Sequence, residues 1–291
     1  MSSQVFPTMI GAKMFATAAS FVGTPEAHWL AGIPSDEQVG FVRMLPEWIA
    51  GLEAFAKTPG MTVEAWAETT LKRLQTIVPS DLHLTLRDFV DLGVVARQKI
   101  ETGWKLKGRK TDDRYQPYRA CGGRLAFKLM AREMGSTDEP AVVGFDNVGA
   151  GFQTPTFMTE VVEGGHVYLA QHDHLLTGWA LYQAAERMLK ANKVVPVRSL
   201  TVPMTDIEIR EDLPWMTGIQ APGIHLDFAH IYAHLKMDEK GSRDVSEMQG
   251  GFTLGMSETR LDWVINGPAI YFREVGGQIV SLYHLDVDAY R

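Results

Sequence analysis

From Met9 to Phe21 the chain is almost entirely small and apolar, the pattern of a helix buried on most of its surface. Gly23-Thr24-Pro25 ends that run and offers the start of a second short helix through Leu30. Apolar residues return at helical spacing over Glu37–Ala56. Thr62 is placed to cap a further helix running through Trp66 and Leu74 to about Ile77, stopped by Pro79. Beyond it the period changes. Phe89–Ala96 reads as a buried strand, and from Arg124 strands dominate. The candidates are Thr156–Val162, His166–Ala170, Val194–Val202, Asp206–Ile209, Ile231–Met237, Ala269–Val275 and Gln278–Leu285, the last two joined by the hairpin signal Gly276-Gly277. One helix interrupts them, Thr177–Lys190, with Trp179, Leu181, Tyr182, Ala185 and Leu189 as its apolar stripe.

Helices in front and strands behind, without regular alternation, predict a mixed α+β fold. No repeat or Pro/Ser-rich linker divides the 291 residues, so a single domain is expected, helix-rich over 1–80 and strand-rich over 81–291.

Composition narrows the function classes. The 45% hydrophobic content supports a sizeable core. A net charge of −7 argues against nucleic-acid binding, and the basic stretch Lys105–Lys110 reads as a solvated loop. One cysteine, Cys121, excludes an intrachain disulfide and a cysteine metal cluster. No basic-then-apolar leader and no membrane-length apolar run is seen, so a soluble, cytoplasmic protein is the default expectation.

Read in order, several segments resemble a compact, divergent serpin. VFPTMIGAKMFATAASFVGTPEAHWLAG resembles that family's opening strand and helix. VEAWAETTLKRLQTIVPSDLHLTLRDFVDLGVVARQKIETGW resembles the helix and central-sheet strand that end at a tryptophan, here Trp104. LTGWALYQAAERMLKANKVVPVRSLTVPMTDIEI resembles a helix leading into a further strand. HIYAHLKMDEKGS is similar to the strand and hinge before the reactive loop, and GPAIYFREVGGQIVSLYHLDV to the closing hairpin. The resemblance implies helices packed around three β-sheets, with a hinge at Glu239, Lys240, Gly241, Ser242, Arg243 and Asp244 and an exposed reactive loop at about 242–260. The chain is shorter than a typical serpin and looks trimmed around Asp212–Phe228.

That resemblance implies a suicide inhibitor with no cofactor, a serine protease as partner, and no enzymatic activity of its own. The protease cleaves the loop, and the freed strand enters the central sheet before the acyl-enzyme is hydrolysed. Family spacing puts the reactive bond at Met256–Ser257, whose large apolar residue suits a chymotrypsin- or elastase-like pocket, with Arg260 as a trypsin-type alternative. With Ser242 as the first inward position, Asp244, Ser246, Met248, Gly250, Phe252 and Leu254 face the core. Arg243, Val245, Glu247, Gln249, Gly251 and Thr253 face outward. Asp244 is the exception in that inward set, because an unpaired carboxylate resists burial. Where serpins carry a polar cluster at the opening of the sheet, this chain has Met9, Ala96 and Ile231, with His230 one residue out of register unless a bulge restores it. The alternative reading is a non-inhibitory serpin-fold binding or assembly protein. Edge pairing between the loop and the sheet of a second copy is a further expectation.

Other constellations are less telling. His172-Asp173-His174 sits at a strand-to-helix junction and reads as structural rather than metal-binding. His225, His230 and His234 read as hydrogen-bonded structural histidines, and Asp112-Asp113 and Asp206/Glu208 as solvated faces. Trp66, Trp179 and Trp215 are expected in the core.

Overall fold

The computed structural model describes residues 3–68, 73, 76, 91–103, 109–110, 118–119, 141–145, 155–172, 174–190, 194–196, 199–202, 205–237, 241–242, 262–265 and 267–289. In chain order the elements are β1 (Gln4–Val5), α1 (Met9–Phe21), α2 (Asp36–Ala56), β2 (Met61–Glu68), β3 (Gly93–Ile100) and β4 (Thr102–Gly103). Next come β5 (Arg109–Lys110), β6 (Tyr118–Arg119), β7 (Ala141–Phe145), β8 (Pro155–Glu160), β9 (His166–Gln171) and α3 (Gly178–Lys190). Then follow β10 (Val194–Pro196), β11 (Ser199–Val202), β12 (Thr205–Asp212), β13 (Gln220–Ala221), β14 (Ile224–His225) and β15 (His230–Met237). The last are β16 (Gly241–Ser242), β17 (Asp262–Val264), β18 (Ala269–Val275) and β19 (Gln278–Leu285).

Local chemistry accounts for the helices. Ser35 caps α2, its side chain accepting the Gln38 N–H at 3.2 Å, and Asp36 and Glu37 place negative charge in the first turn. Gln38 is itself buried; its amide oxygen accepts from the Ile33 N–H and its amide nitrogen donates to Thr217 O at 2.6 Å. α1 approaches α2 through Gly11, where a Cβ would stand 3.1 Å from Phe41. α3 buries Trp179, Leu181, Tyr182 and Ala185 as the stripe predicts, and Ala184 and Met188 join them while Leu189 is only partly buried.

Among the described residues the strands form a seven-stranded sheet, a four-stranded sheet and four two-stranded ladders. The seven-stranded antiparallel sheet runs β1-β19-β18-β9-β8-β7-β10. The β18–β19 hairpin turns at Gly276 and Gly277, both at positive φ, as a tight two-residue connection requires. The four-stranded sheet runs β17-β11-β6-β5. The two-stranded ladders are β2–β3, β12–β15, β13–β14 and the short β4–β16 pair. The core lies between the helices and these sheets. Phe6 is its hub, stacked on Trp215 at 5.7 Å and surrounded by Phe41, Trp48, Trp179 and Tyr182.

Five expectations are corrected. Met61–Glu68 is a strand and not a helix: Met61 and Val63 are buried while Thr62 and Glu64 are exposed, and that period-two pattern is satisfied by pairing with β3 along its whole length. Trp66 accordingly sits half-buried on β2, and Trp215 is also only partly buried, whereas Trp179 is a core residue. No helix follows Pro25; that segment is a turn that leads to a single bridge between Leu30 and Gln220. Val194–Val202 is divided between two sheets, β10 ending at Pro196, which has no N–H with which to extend a ladder. The strand expected at Phe89–Ala96 begins at Gly93 and runs to Ile100.

Candidate functional site

The ladders β2–β3, β12–β15 and β4–β16 carry Ala96, Ile231, Gly241 and Ser242 of the residues singled out from sequence. β3 pairs with β2 along one edge, from Gly93↔Glu68 to Ile100↔Met61. Successive peptide groups of a strand point to opposite edges. Glu101 N–H continues toward the β2 side, donating to Gly60 O at 2.7 Å, and Gly103 N–H does the same, donating to the Glu163 carboxylate. Thr102, between them, addresses the other edge, and there it pairs with Ser242 while Gly103 pairs with Gly241. That pairing is antiparallel. β16 thus lies along the end of the β3–β4 strand.

Along the rest of that edge, β3 has no strand partner among the described residues. β15 is paired through its length on one edge only, with β12, from His230↔Asp212 to Met237↔Thr205. Among the described residues, then, β3 and β15 each have a strand partner on one edge only, and both lie beside β16, which packs against β15 and pairs with β4. Backbone groups on a free edge are pairing sites for an added strand.

The faces are set by burial. On β3 the residues Ala96, Gln98, Ile100 and Thr102 share the inward face: Ile100 packs against the core, Gln98 donates to Val280 O of β19 at 3.0 Å, and Thr102 is fully buried. On β15 the inward face carries Ile231, Leu235 and Met237, all buried. Position 242, opposite Thr102, therefore stands at the register of the buried face.

Of the residues expected to open the sheet, Met9 begins α1 and joins the same core cluster as Ile231 on β15, while Ala96 is half-buried on β3 opposite Ala65. Trp104, Glu239, Lys240, Arg243, Asp244, Met256 and Ser257 lie outside the described residues, as do Asp112, Asp113 and Asp173. The β12–β15 register is continuous, so no bulge brings His230 inward; its ring faces Asp212 at 3.2 Å instead. His234 pairs with Asp206 at 2.7 Å, and Lys236 approaches the same carboxylate. Asp206 is thus a largely covered carboxylate that meets His234 and Lys236 rather than a solvated face, its side chain 13% exposed. His172 Nδ1 lies 2.7 Å from His174 O, and no cluster able to hold a metal occurs among the described residues.

Sequence reasoning missed Thr102, Gly103 and Glu163. The first two precede Trp104 and carry no distinctive chemistry; Glu163 is remote in the chain and gave no signal.

Comparison with known proteins bears on the architecture. No protein-family model matches the chain, and no curated protein matches it in sequence. Solved structures do. Serpin48 of the insect Tenebrio molitor, described as a highly specific serpin, superposes with a TM-score of 0.52 over 96% of this chain and 97% of its own, at 10% identity. A serpin from the trematode Schistosoma haematobium gives 0.52 over 96% and 98%, at 11% identity. This chain has the serpin fold. Human thyroxine-binding globulin complexed with thyroxine also matches, with a TM-score of 0.50 over 98% of each chain at 10% identity. The serpin fold here is a divergent one. No helix of the described residues is long and apolar enough to cross a membrane.

Proposed function

We propose that the chain inhibits a serine protease as a suicide substrate, with the segment from Gly241 to about Arg260 as the reactive loop. The observation that supports this reading is that, among the described residues, β3 and β15 have no strand partner on their second edges, while β16 beside them is paired with β4. A strand continuing from β16 between those edges would form a ladder on each side. Roughly ten such hydrogen bonds at about 1 kcal/mol net each, together with burial of Phe252 and Leu254, would make the inserted state the more stable one. A fold held short of its most stable arrangement stores that difference as a kinetic trap.

The protease supplies the chemistry. Its serine attacks the Met256 carbonyl, the bond to Ser257 breaks, and the Ser257 amine leaves while Met256 remains esterified to the enzyme. Residues 243 to 256 are then free to follow residue 242 into the sheet, with even-numbered positions on the inward face that Thr102 marks. Insertion displaces the tethered protease before water completes hydrolysis. The chain itself acts as substrate and spring, not as an enzyme.

The test is incubation with chymotrypsin-, elastase- and trypsin-like proteases followed by denaturing electrophoresis and amino-terminal sequencing of the released fragment. An SDS-stable complex with cleavage after Met256 supports the reading. Cleavage without complex, and no gain in melting temperature of the cleaved protein, overturns it.

A non-inhibitory binding role is the second reading. It is favoured by Asp244, which the register assigns to the buried face, and by a structural neighbour that binds thyroxine. A cleaved protein that melts no higher than the intact one would support it. The free edges also fit loop–sheet pairing between two copies of the chain, which would show as protease-sensitive oligomers on warming.

A further inference from the structure

The turn Val161–Gly165 belongs to the hairpin that joins β8 to β9 of the seven-stranded sheet, yet it reaches outward to Gly103 of β4. Val162 N–H donates to Gly103 O at 3.0 Å. Gly103 N–H in turn lies 3.1 and 3.0 Å from the two carboxylate oxygens of Glu163. Gly103 therefore places both of its backbone groups on this turn. The approach is close: a Cβ on Gly103 would stand 3.3 Å from Val162 Cγ2, and one on Gly60 would stand 2.8 Å from Glu163 Cγ. β2 ends at Met61, so the turn continues β2's role at the point where the ladder runs out.

The turn is anchored from beneath. Arg273 of β18 is fully buried, and its guanidinium donates to Gly164 O and, at 2.8 Å, to Glu274 O. Gly165 has positive φ and lies so near β18 that a Cβ would fall 2.2 Å from Glu274 O. Seven-stranded sheet, turn and Gly103 thus form one chain of contacts. Its last member is the neighbour of Thr102, the residue opposite Ser242.

We propose that Glu163 is a positioning residue that holds the end of β3–β4 against the seven-stranded sheet and so keeps its other edge open to the loop. The inference rests on the inhibitory reading above and adds what controls the rate. For a strand to enter, β3 and β15 must stand two strand spacings apart, about 10 Å. The seven-stranded sheet is the fixed reference, and the Glu163 carboxylate is the charged tie between it and the strand that must not close. A hydrogen bond to an ionised acceptor is among the stronger ties available to a peptide N–H. With that tie removed, β4 is free to relax toward β15 and the site occupied by β16 narrows.

The experiment compares wild type, E163A and E163Q. After brief cleavage within the loop by a broad-specificity protease, samples are quenched at intervals and scored for resistance to heating. E163A is expected to acquire resistance about fivefold more slowly, the effect of roughly one lost hydrogen bond, and E163Q, which keeps an acceptor oxygen, to stay within about twofold of wild type. An unchanged or faster rate in E163A overturns the proposal, as does a lowered melting temperature of intact E163A with no change in rate. Should wild type itself gain no heat resistance, the inhibitory reading fails separately. Amide hydrogen exchange then decides the tie: E163A must accelerate exchange at residues 102–103 and 241–242 together while leaving β2 unchanged, or the proposal falls as well.

Discussion

Glu211 stands directly opposite Ile231 across the β12–β15 ladder, on the same inward face as Ile209, Leu235 and Met237. One of its carboxylate oxygens is buried with no hydrogen-bond partner among the described residues. Burial pushes its pKa up, because the charged form loses hydration that nothing replaces. A raised folded pKa means that this group favours folding below the ordinary glutamate value and loses that contribution as pH rises through the folded value. E211Q keeps the shape and removes the charge. It is expected to stabilise the protein at pH 7 by about 1 kcal/mol, with the advantage gone near pH 4. Urea unfolding at the two pH values checks this; an equal difference at both would show that charge is not the cause.

His284 titrates in the opposite sense. It is fully buried, accepts the Leu176 N–H at Nδ1 (2.7 Å) and faces His172 O through Nε2 (3.3 Å), which suits the neutral ring protonated at Nε2. Burial first, and then the nearby His172, push its pKa down to about 4. Its contribution is complete above the unfolded value of about 6.5 and is lost as pH falls toward 4, up to about 3 kcal/mol. H284N is expected to be less stable than wild type at pH 7 by about 1–3 kcal/mol but to lack this part of the acid-side slope. The slope is best measured in the E211Q background, where the opposing group is silent. A full wild-type slope in E211Q/H284N would assign it elsewhere.

Gly40 is where α2 meets α3, and a Cβ there would lie 2.1 Å from the Trp179 indole. G40A gains about 1 kcal/mol of helix propensity but forces a buried aromatic ring to move, a cost of about 1–3 kcal/mol or more. A net loss is expected in the urea midpoint. G11A, whose added carbon would meet Phe41 at a milder 3.1 Å, is expected to be close to neutral and serves as its control.

The register of Ser242 against Thr102 gives the loop a phase. A loop that kept this phase on insertion would turn Asp244 inward and Arg243 outward. D244A is expected to raise the fraction of protease trapped as complex several-fold, since burying an unpaired carboxylate costs a few kcal/mol. R243A should change it little. Titration of a responsive protease with both variants checks the phase, and a gain confined to R243A would reverse it.

Much of this was legible along the chain. α1 follows from an apolar run, α2 from apolar residues at helical spacing over Glu37–Ala56, and the closing hairpin from the Gly276-Gly277 signal between two strand patterns. The serpin-like order of segments was legible too, and the solved structures of that fold match it at about 96% coverage. β2 was misread because Ala65, Ala67, Glu68, Leu71, Lys72 and Leu74 are strong helix formers, and four residues of alternation before them are a short signal. Its strand character depends on β3, some thirty residues on.

The sequence by itself determined the periodic elements and the polarity pattern that an inserting strand would need. These depend on neighbours within a few residues, where side-chain spacing speaks directly. Only the tertiary structure decided which edges stay open, which face residue 242 meets, and that Gly103 is held by Glu163 sixty residues away. Pairing partners and buried hydrogen bonds are chosen by the whole fold, because a backbone group is satisfied by whichever acceptor the packed chain brings within 3 Å, and no local pattern records that choice.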